Sequence, residues 1–145
     1  MQKIKVSEWL LFVRVILTKL IPIYLINMAF KFEELKIWQI SLLLSDEIDA
    51  IAKQQFPKIE LFSLTTQIKK AVDSVNLNIA EGCMGQSKAE FSRFLTYSVR
   101  SGLEVVSCLH MARNRKYISN EQFAYFYTEY EQLCKMINSL KNSLK

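Results

Sequence analysis

One histidine, three cysteines and two sets of helix-borne polar residues are the groups in this sequence whose chemistry would go beyond packing. His110 is the sole imidazole. Carboxylate-bridged metal pairs in helical bundles take a Glu-x-x-His motif from each of two helices. Here Ser107 stands three residues before His110, and Glu104 stands six before it on a different face, so even half of such a site is missing. His110 lies two residues from Cys108, and residues two apart on a helix do not face each other, which excludes a cysteine–imidazole couple. It reads as a partly exposed helix residue. Cys83, Cys108 and Cys134 are odd in number and widely spaced, whereas zinc sites bring their ligands in close pairs. They read as reduced, core-type cysteines, and without a convincing secretion signal they point to the cytoplasm. Gly82-Cys83-Met84-Gly85 lacks the lysine and the spacing of a phosphate-binding loop. No cofactor, metal or catalytic residue is implied, and the expectation is a protein that binds rather than transforms.

Two constellations remain. Gln67, Ser74, Asn78 and Glu81 are spaced seven, four and three apart, which lines them up beside an apolar stripe of one helix. Ser101 and Glu104 on the following helix are candidate partners. Read structurally, these residues make hydrogen bonds between helices or subunits that fix register; read functionally, they form a ligand site. The structural reading carries more weight, because polar groups near a core must be paired. The second set is cationic: Lys69 and Lys70, then Arg93 and Arg100 one heptad apart, then Arg113, Arg115 and Lys116. These are candidate phosphate contacts on a shared surface rather than in a pocket. Against that, Glu90 precedes Arg93 by three and Glu104 follows Arg100 by four, which neutralises both locally. The net charge of +5 is also unevenly placed: Lys3, Lys5, Arg14 and Lys19 against Glu8 give the first 27 residues +3, leaving +2 for the rest. The basic pI is therefore weak support for nucleic-acid binding.

The elements that must position these groups are helices. Half of the residues are apolar, aromatics make up 12%, and three glycines and two prolines are too few for the turns of an all-β fold. Leu35, Trp38, Leu42, Ile48 and Ile51 mark a first helix that ends near Phe56, since Pro57 disfavours helical geometry in the residue before it. A second is expected from about Glu60 to Glu81 with Leu64, Ile68, Ala71, Val75 and Ile79 on one stripe, broken by Gly82 and Gly85. The third opens on a capping box, Ser87-Lys88-Ala89-Glu90, and runs through Phe91, Leu95, Ser98, Gly102, Val105, Leu109 and Ala112; Ser98 and Gly102 allow a neighbour close approach. The fourth opens on Ser119-Asn120-Glu121-Gln122 and keeps an unbroken heptad through Phe123, Phe126, Tyr130, Leu133, Ile137, Leu140 and Leu144. Short loops make consecutive helices antiparallel, so the expected fold is all-α: an up-down-up-down four-helix bundle over residues 28–145 with an extra N-terminal apolar segment. Phe123, Tyr125, Phe126, Tyr127 and Tyr130 cannot all lie on one internal stripe, so some aromatic surface is expected to meet another chain or the N-terminal segment.

Residues 1–27 form a separate basic, apolar leader. Trp9 to Ile26 is nearly continuous apolar sequence interrupted by Arg14, Thr18, Lys19 and Pro22. On an insertion scale its aliphatic and aromatic residues contribute roughly −6 kcal/mol, and the two central cations cost about as much. A membrane span is therefore disfavoured, and the lack of a small-residue cleavage site argues against a signal peptide. Three readings stay open: an upstream in-frame extension with Met28 as the natural start, an extra docked or membrane-associated helix, or, with least weight, a transmembrane span.

The run from Gln67 to Gly82, QIKKAVDSVNLNIAEG, resembles the signature of a bacterial family of four helix bundle proteins, also called 23S ribosomal-RNA intervening-sequence proteins, approximately Q-I-R-R-A-A-x-S-I-P-x-N-I-A-E-G. Flanking similarities are Phe32-x-x-Leu35-x-x-Trp38, Phe56-Pro57, and Phe91-x-x-Phe94-Leu95 with Ser101 and Glu104, so the resemblance spans Phe30 to Lys145 and leaves the leader unmatched. Lys69 and Lys70 replace the usual arginines, Asn76 replaces the common proline, and Arg100 and Gly102 flank Ser101 in place of Gly and Leu. The lysines weaken a bidentate phosphate contact, because an ammonium is a point charge and a guanidinium a fork. The resemblance implies a non-enzymatic homo-oligomer, commonly a homopentameric ring, with an RNA-linked role. A related branch resembles the accessory subunit of diversity-generating retroelements, which gives the alternative of an adaptor docking a nucleic-acid enzyme such as a reverse transcriptase.

Overall fold

The computed structural model describes residues 30–145, so the readings made for the leader lie outside the described residues. Four helices follow one another: α1 Lys36–Gln55, α2 Leu64–Cys83, α3 Lys88–Asn114 and α4 Asn120–Ser143. Short 3-10 turns at Lys31–Glu34 and Lys58–Glu60 precede α1 and α2. Each helix packs on its neighbours in sequence, and α4 closes against α1. Partners descend along one helix as they ascend along the next. Ser45 meets Asp73 while Ser41 meets Asn76, Ser74 meets Ser101 while Val75 meets Ser98, and His110 meets Phe123 while Gly102 faces Cys134. Consecutive helices are thus antiparallel.

The core is the expected set on three helices. Ile68, Ala71, Val75 and Ile79 of α2, Leu95, Val105, Leu109 and Ala112 of α3, and Phe126, Tyr130, Leu133 and Ile137 of α4 are all buried. On α1 Ile48 is buried and Leu35, Trp38 and Ile51 pack against the core as expected, but Leu42 does not. Leu42 is 39% exposed, and the row facing the core is Ile37, Ser41, Leu44, Ser45, Ile48 and Ala52. Two serines sit in that row because both are hydrogen-bonded. Ser41 donates to the Trp38 carbonyl at 2.8 Å and accepts from Asn76 at 2.9 Å, and Ser45 donates to Asp73 at 3.2 Å. A reading based on apolar periodicity alone passes over such a row.

Helix ends differ from expectation in three places, each with a local cause. α2 starts at Leu64 rather than near Glu60, since Glu60 ends a 3-10 turn and caps the helix from outside, its Oε2 accepting from the Leu64 N–H at 3.3 Å and from the Ser63 hydroxyl. α2 also runs through Gly82 to Cys83. Gly82 is buried, and a Cβ there would stand 2.5 Å from Phe94 Cβ, so this glycine permits helix contact rather than stopping the helix. At α3, Ser87 accepts from the Glu90 N–H at 3.1 Å, but the Glu90 carboxylate caps Gln86 N–H at 3.0 Å instead of closing the box on Ser87. The Ser119–Gln122 box of α4 is complete.

α3 ends in a Schellman arrangement built on a lysine. Lys116 has φ 62°, its N–H reaches the Arg113 carbonyl at 2.9 Å, and the Tyr117 N–H reaches that of Ala112 at 2.9 Å. Two glycine exchanges should therefore act in opposite directions in thermal melts. Gly82→Ala gains about 1 kcal/mol of helix propensity but overpacks a Cβ–Cβ contact that cannot swing aside, and a net loss of about 1–2 kcal/mol is expected. Lys116→Gly relieves the left-handed backbone and should raise stability by about 1 kcal/mol.

Candidate nucleic-acid interface

The candidate cations fall into two groups once their partners are known. Lys69 reaches back to α1, its Nζ 2.6 Å from Asp49 Oδ1, and Lys53 holds the other carboxylate oxygen. Hydrogen bonds from Lys53 and then Lys69 hold the Asp49 carboxyl below its usual range, and the Lys69 ammonium is correspondingly raised by Asp49. Arg115 is tied to Glu60, Nη1 to Oε1 at 2.7 Å. Glu60 also accepts from the Tyr117 hydroxyl at 3.0 Å. Hydrogen bonds from Ser63 first, then Tyr117 and the Leu64 amide, with the Arg115 charge, depress its pKa. Arg93 stands over the Phe94 ring at 5.6 Å and is 4.0 Å from Glu90. Arg113 is stacked on Phe123 with its guanidinium carbon 4.1 Å from the ring centre. Lys70, Arg100 and Lys116 are exposed and have no ion pair among the described residues.

Arg113, Arg115 and Lys116 thus have three different surroundings. Arg113 serves the α3–α4 side, Arg115 turns to the 3-10 turn before α2, and Lys116 occupies the left-handed cap. Lys70 and Arg100 lie on adjoining helices at neighbouring levels. Gln67 donates to Glu104, and Ser74 and Ser101 share a hydrogen bond of 2.8 Å. That register sets Lys70 within about one turn of the level of Arg100 on the adjoining helix.

The same register accounts for the polar stripe. Gln67–Glu104 and Ser74–Ser101 bridge α2 to α3, and Asn78 donates back to the Ser74 carbonyl at 2.7 Å and hydroxyl at 3.0 Å. Glu81 is exposed at the end of the row. Within the chain the row is spent on interhelical pairing and on supporting Ser74. Ser98, fully buried, adds a bond to the Val75 carbonyl at 2.8 Å.

Burial pushes the Cys108 thiol up to about 11 and raises Cys83 and Cys134 as well, so all three are protonated thiols near neutral pH. Cys108 is the one fully buried cysteine; Cys83 and Cys134 are half-buried. Among the described residues no cluster of potential metal ligands occurs, and no helix is long and apolar enough to cross a membrane.

Sequence reasoning missed two features. Glu60 is a hub for four donors rather than a residue of α2. His110 is exposed, but it is also set edge-on to Phe123 at 4.7 Å and to Tyr127 at 6.2 Å, with Phe123 and Tyr127 5.7 Å apart. The i, i+3 pair His110/Arg113 and the i, i+4 pair Phe123/Tyr127 were the available signals, but only the α3–α4 register joins them.

With this geometry in hand, comparison with known proteins is informative. A solved structure of a protein of unknown function from Bacteroides thetaiotaomicron VPI-5482, described as a member of the S23 ribosomal protein family, superposes with a TM-score of 0.67 at 23% identity, covering 72% of this chain and 97% of that one. At that identity the likeness speaks for the fold. No curated protein matches the chain. The family model described as 23S rRNA-intervening sequence protein matches residues 33–139, which takes in all of α1, α2 and α3 and most of α4 and carries the polar row and every candidate cation. The chain belongs to the 23S rRNA-intervening sequence protein family.

Proposed function

We propose that this chain is a non-catalytic, RNA-associated protein of the cytoplasm that assembles into a homo-oligomeric ring and holds RNA on its outer surface through phosphate contacts. The observation that carries the reading is the pair Lys70 and Arg100, exposed on adjoining helices without a carboxylate in contact among the described residues, in a chain of this family. A cation already paired must give up its carboxylate before it can take a phosphate, so the unpaired ones bind first. Apolar side chains left open on the outside favour self-association: Leu77, Leu103, Tyr125 and Tyr127 are each more than a third exposed. Repetition around a ring turns two or three cations per subunit into a continuous basic band, which offsets a net charge of only +2 outside the leader.

The test is the salt dependence of retention of a single-stranded RNA. Each phosphate neutralised contributes about 0.7 to the slope of log affinity against log salt. Changing Lys70 and Arg100 together to alanine is expected to lower that slope by about 1.4 per subunit engaged. Arg115→Ala should leave it unchanged while lowering Tm, because Arg115 is occupied with Glu60. Absence of RNA retention by the wild-type protein at low salt, or an unchanged slope in the double variant, would remove this reading. Oligomer mass measured by sedimentation, before and after nuclease treatment, tests assembly separately.

A further inference from the structure

The turn between α1 and α2 carries apolar side chains that the bundle does not cover: Ile59 is 87% exposed and Phe62 91%. Backbone bonds of the 3-10 kind run through it, from the Glu60 N–H to Pro57, the Leu61 N–H to Lys58 and the Ser63 N–H to Glu60. In such a turn side chains three apart eclipse, so Ile59 and Phe62 share one side while Glu60 and Ser63 share another. Glu60 ties the turn to the bundle, accepting from the Ser63 hydroxyl, the Leu64 amide, Arg115 and Tyr117. The result is a preorganised apolar knob, which loses little freedom on docking. Phe62 borders a groove with Gln67 of α2 and Met111 of α3, which places the knob on the α2–α3 face.

On the opposite face, α1 and α4 leave an open groove of about 480 Å³. Ala50 and Ile51 of α1 meet Tyr125 and Phe126 of α4 in it, with Glu47 and Glu121 beside them. The Tyr125 hydroxyl donates to Glu47 at 3.0 Å, and neither carboxylate has an ion pair among the described residues. Lys58, which adjoins Ile59, is exposed and likewise without an ion pair among them. Knob and groove lie at the same end of the bundle, where α1 and α3 finish and α4 begins.

An apolar knob beside a cation and an apolar groove beside two carboxylates are complementary, yet within one chain they cannot meet, because they stand on opposite faces. Between copies they can, in a head-to-tail contact. A knob and a groove at one level set successive copies side by side and permit a closed ring, whereas an offset along the bundle would wind the copies into a filament. We propose that Ile59 and Phe62 of one copy seat in the α1–α4 groove of the next, with Lys58 toward Glu47 and Glu121. The proposal rests on the ring assembly proposed above and adds to it the contact that builds the ring.

Sedimentation of the full chain tests this through two surface variants, Phe62→Asp in the knob and Ala50→Arg in the groove. Both positions are exposed, so both variants keep the core. Each variant alone is expected to lose the mass of the assembly and sediment as a monomer. Mixed in equal amounts, they should give a species of twice the monomer mass and nothing larger, because one intact knob then meets one intact groove. A contact between like surfaces would show no such rescue. Either variant keeping the wild-type mass overturns the knob-in-groove contact and leaves ring assembly standing, and so does a mixture of monomeric variants that stays monomeric. A monomeric wild type overturns the ring and this contact together. If Phe62→Asp keeps the particle mass but abolishes flotation with phosphatidylserine vesicles, the knob belongs to a lipid surface and the contact is likewise overturned.

Discussion

Ser98 donates to the Val75 carbonyl from a position with no solvent exposure. A helix carbonyl already bonded within its own helix has one lone pair left, and a serine on another helix reaches it only if the two backbones come unusually near. The α2–α3 contact is built to allow that. Gly82 leaves no room for a methyl group against Phe94, and Gly102 leaves little against Cys134 on the other flank of α3. With α2 and α3 that near, Gly82 and Ser98 stand at the closest points of their seam, and the Ser74–Ser101 and Gln67–Glu104 bonds can close only in one register. The rest of the bundle inherits this constraint. Asn76 on α2 reaches Ser41 and the Trp38 carbonyl on α1, and Tyr130 on α4 packs beside Gly102.

Much of this was legible in the residues. Stripes of α2, α3 and α4 could be read because their core positions are apolar or small at spacings of three and four, and periodicity needs nothing more. α1 was read correctly at Ile48 and at Leu35, Trp38 and Ile51, and misread at Leu42, because its inward row spends two of six positions on serine while Leu42 and Leu43 face outward. Nothing local marks Ser41 and Ser45 as buried; Asn76 and Asp73, some thirty residues on, make their burial affordable. Gly82 shows the same limit. In sequence, a glycine near a helix end reads as a stop. Whether it ends the helix or admits a neighbour depends on Phe94, which approaches only after the chain has turned back.

Charged residues were harder still, since a cation's use depends on a partner the sequence does not name. Arg115 and Lys116 are adjacent in the chain, yet one is anchored to Glu60 and the other occupies a left-handed cap. Lys69 and Lys70 are adjacent too, and a helix turns about 100° per residue, so the first meets Asp49 of α1 while the second faces out beside α3. Having a lysine rather than an arginine therefore means different things at the two positions. At Lys69 a point charge suffices, because the Asp49 carboxylate is shared with Lys53 and each ammonium needs one oxygen. At Lys70 the loss of a fork costs the bidentate geometry with which an arginine would hold a phosphate.

A surface limited to ammonium groups holds a polyanion by charge alone and cannot distinguish one strand form from another. The α3–α4 flank carries groups other than cations, Tyr127 and His110, exposed on a base of buried and half-buried rings. Their placement follows from the helix register that buries Phe126 and Tyr130: on a helix, turning those two residues inward leaves Tyr127 at the edge of the buried sector, neither inside nor fully outside. The aromatic density of α4 thus serves the core with one part of its circumference and the surface with the next, and the heptad that stabilises the bundle also fixes where its flat, exposed rings can be.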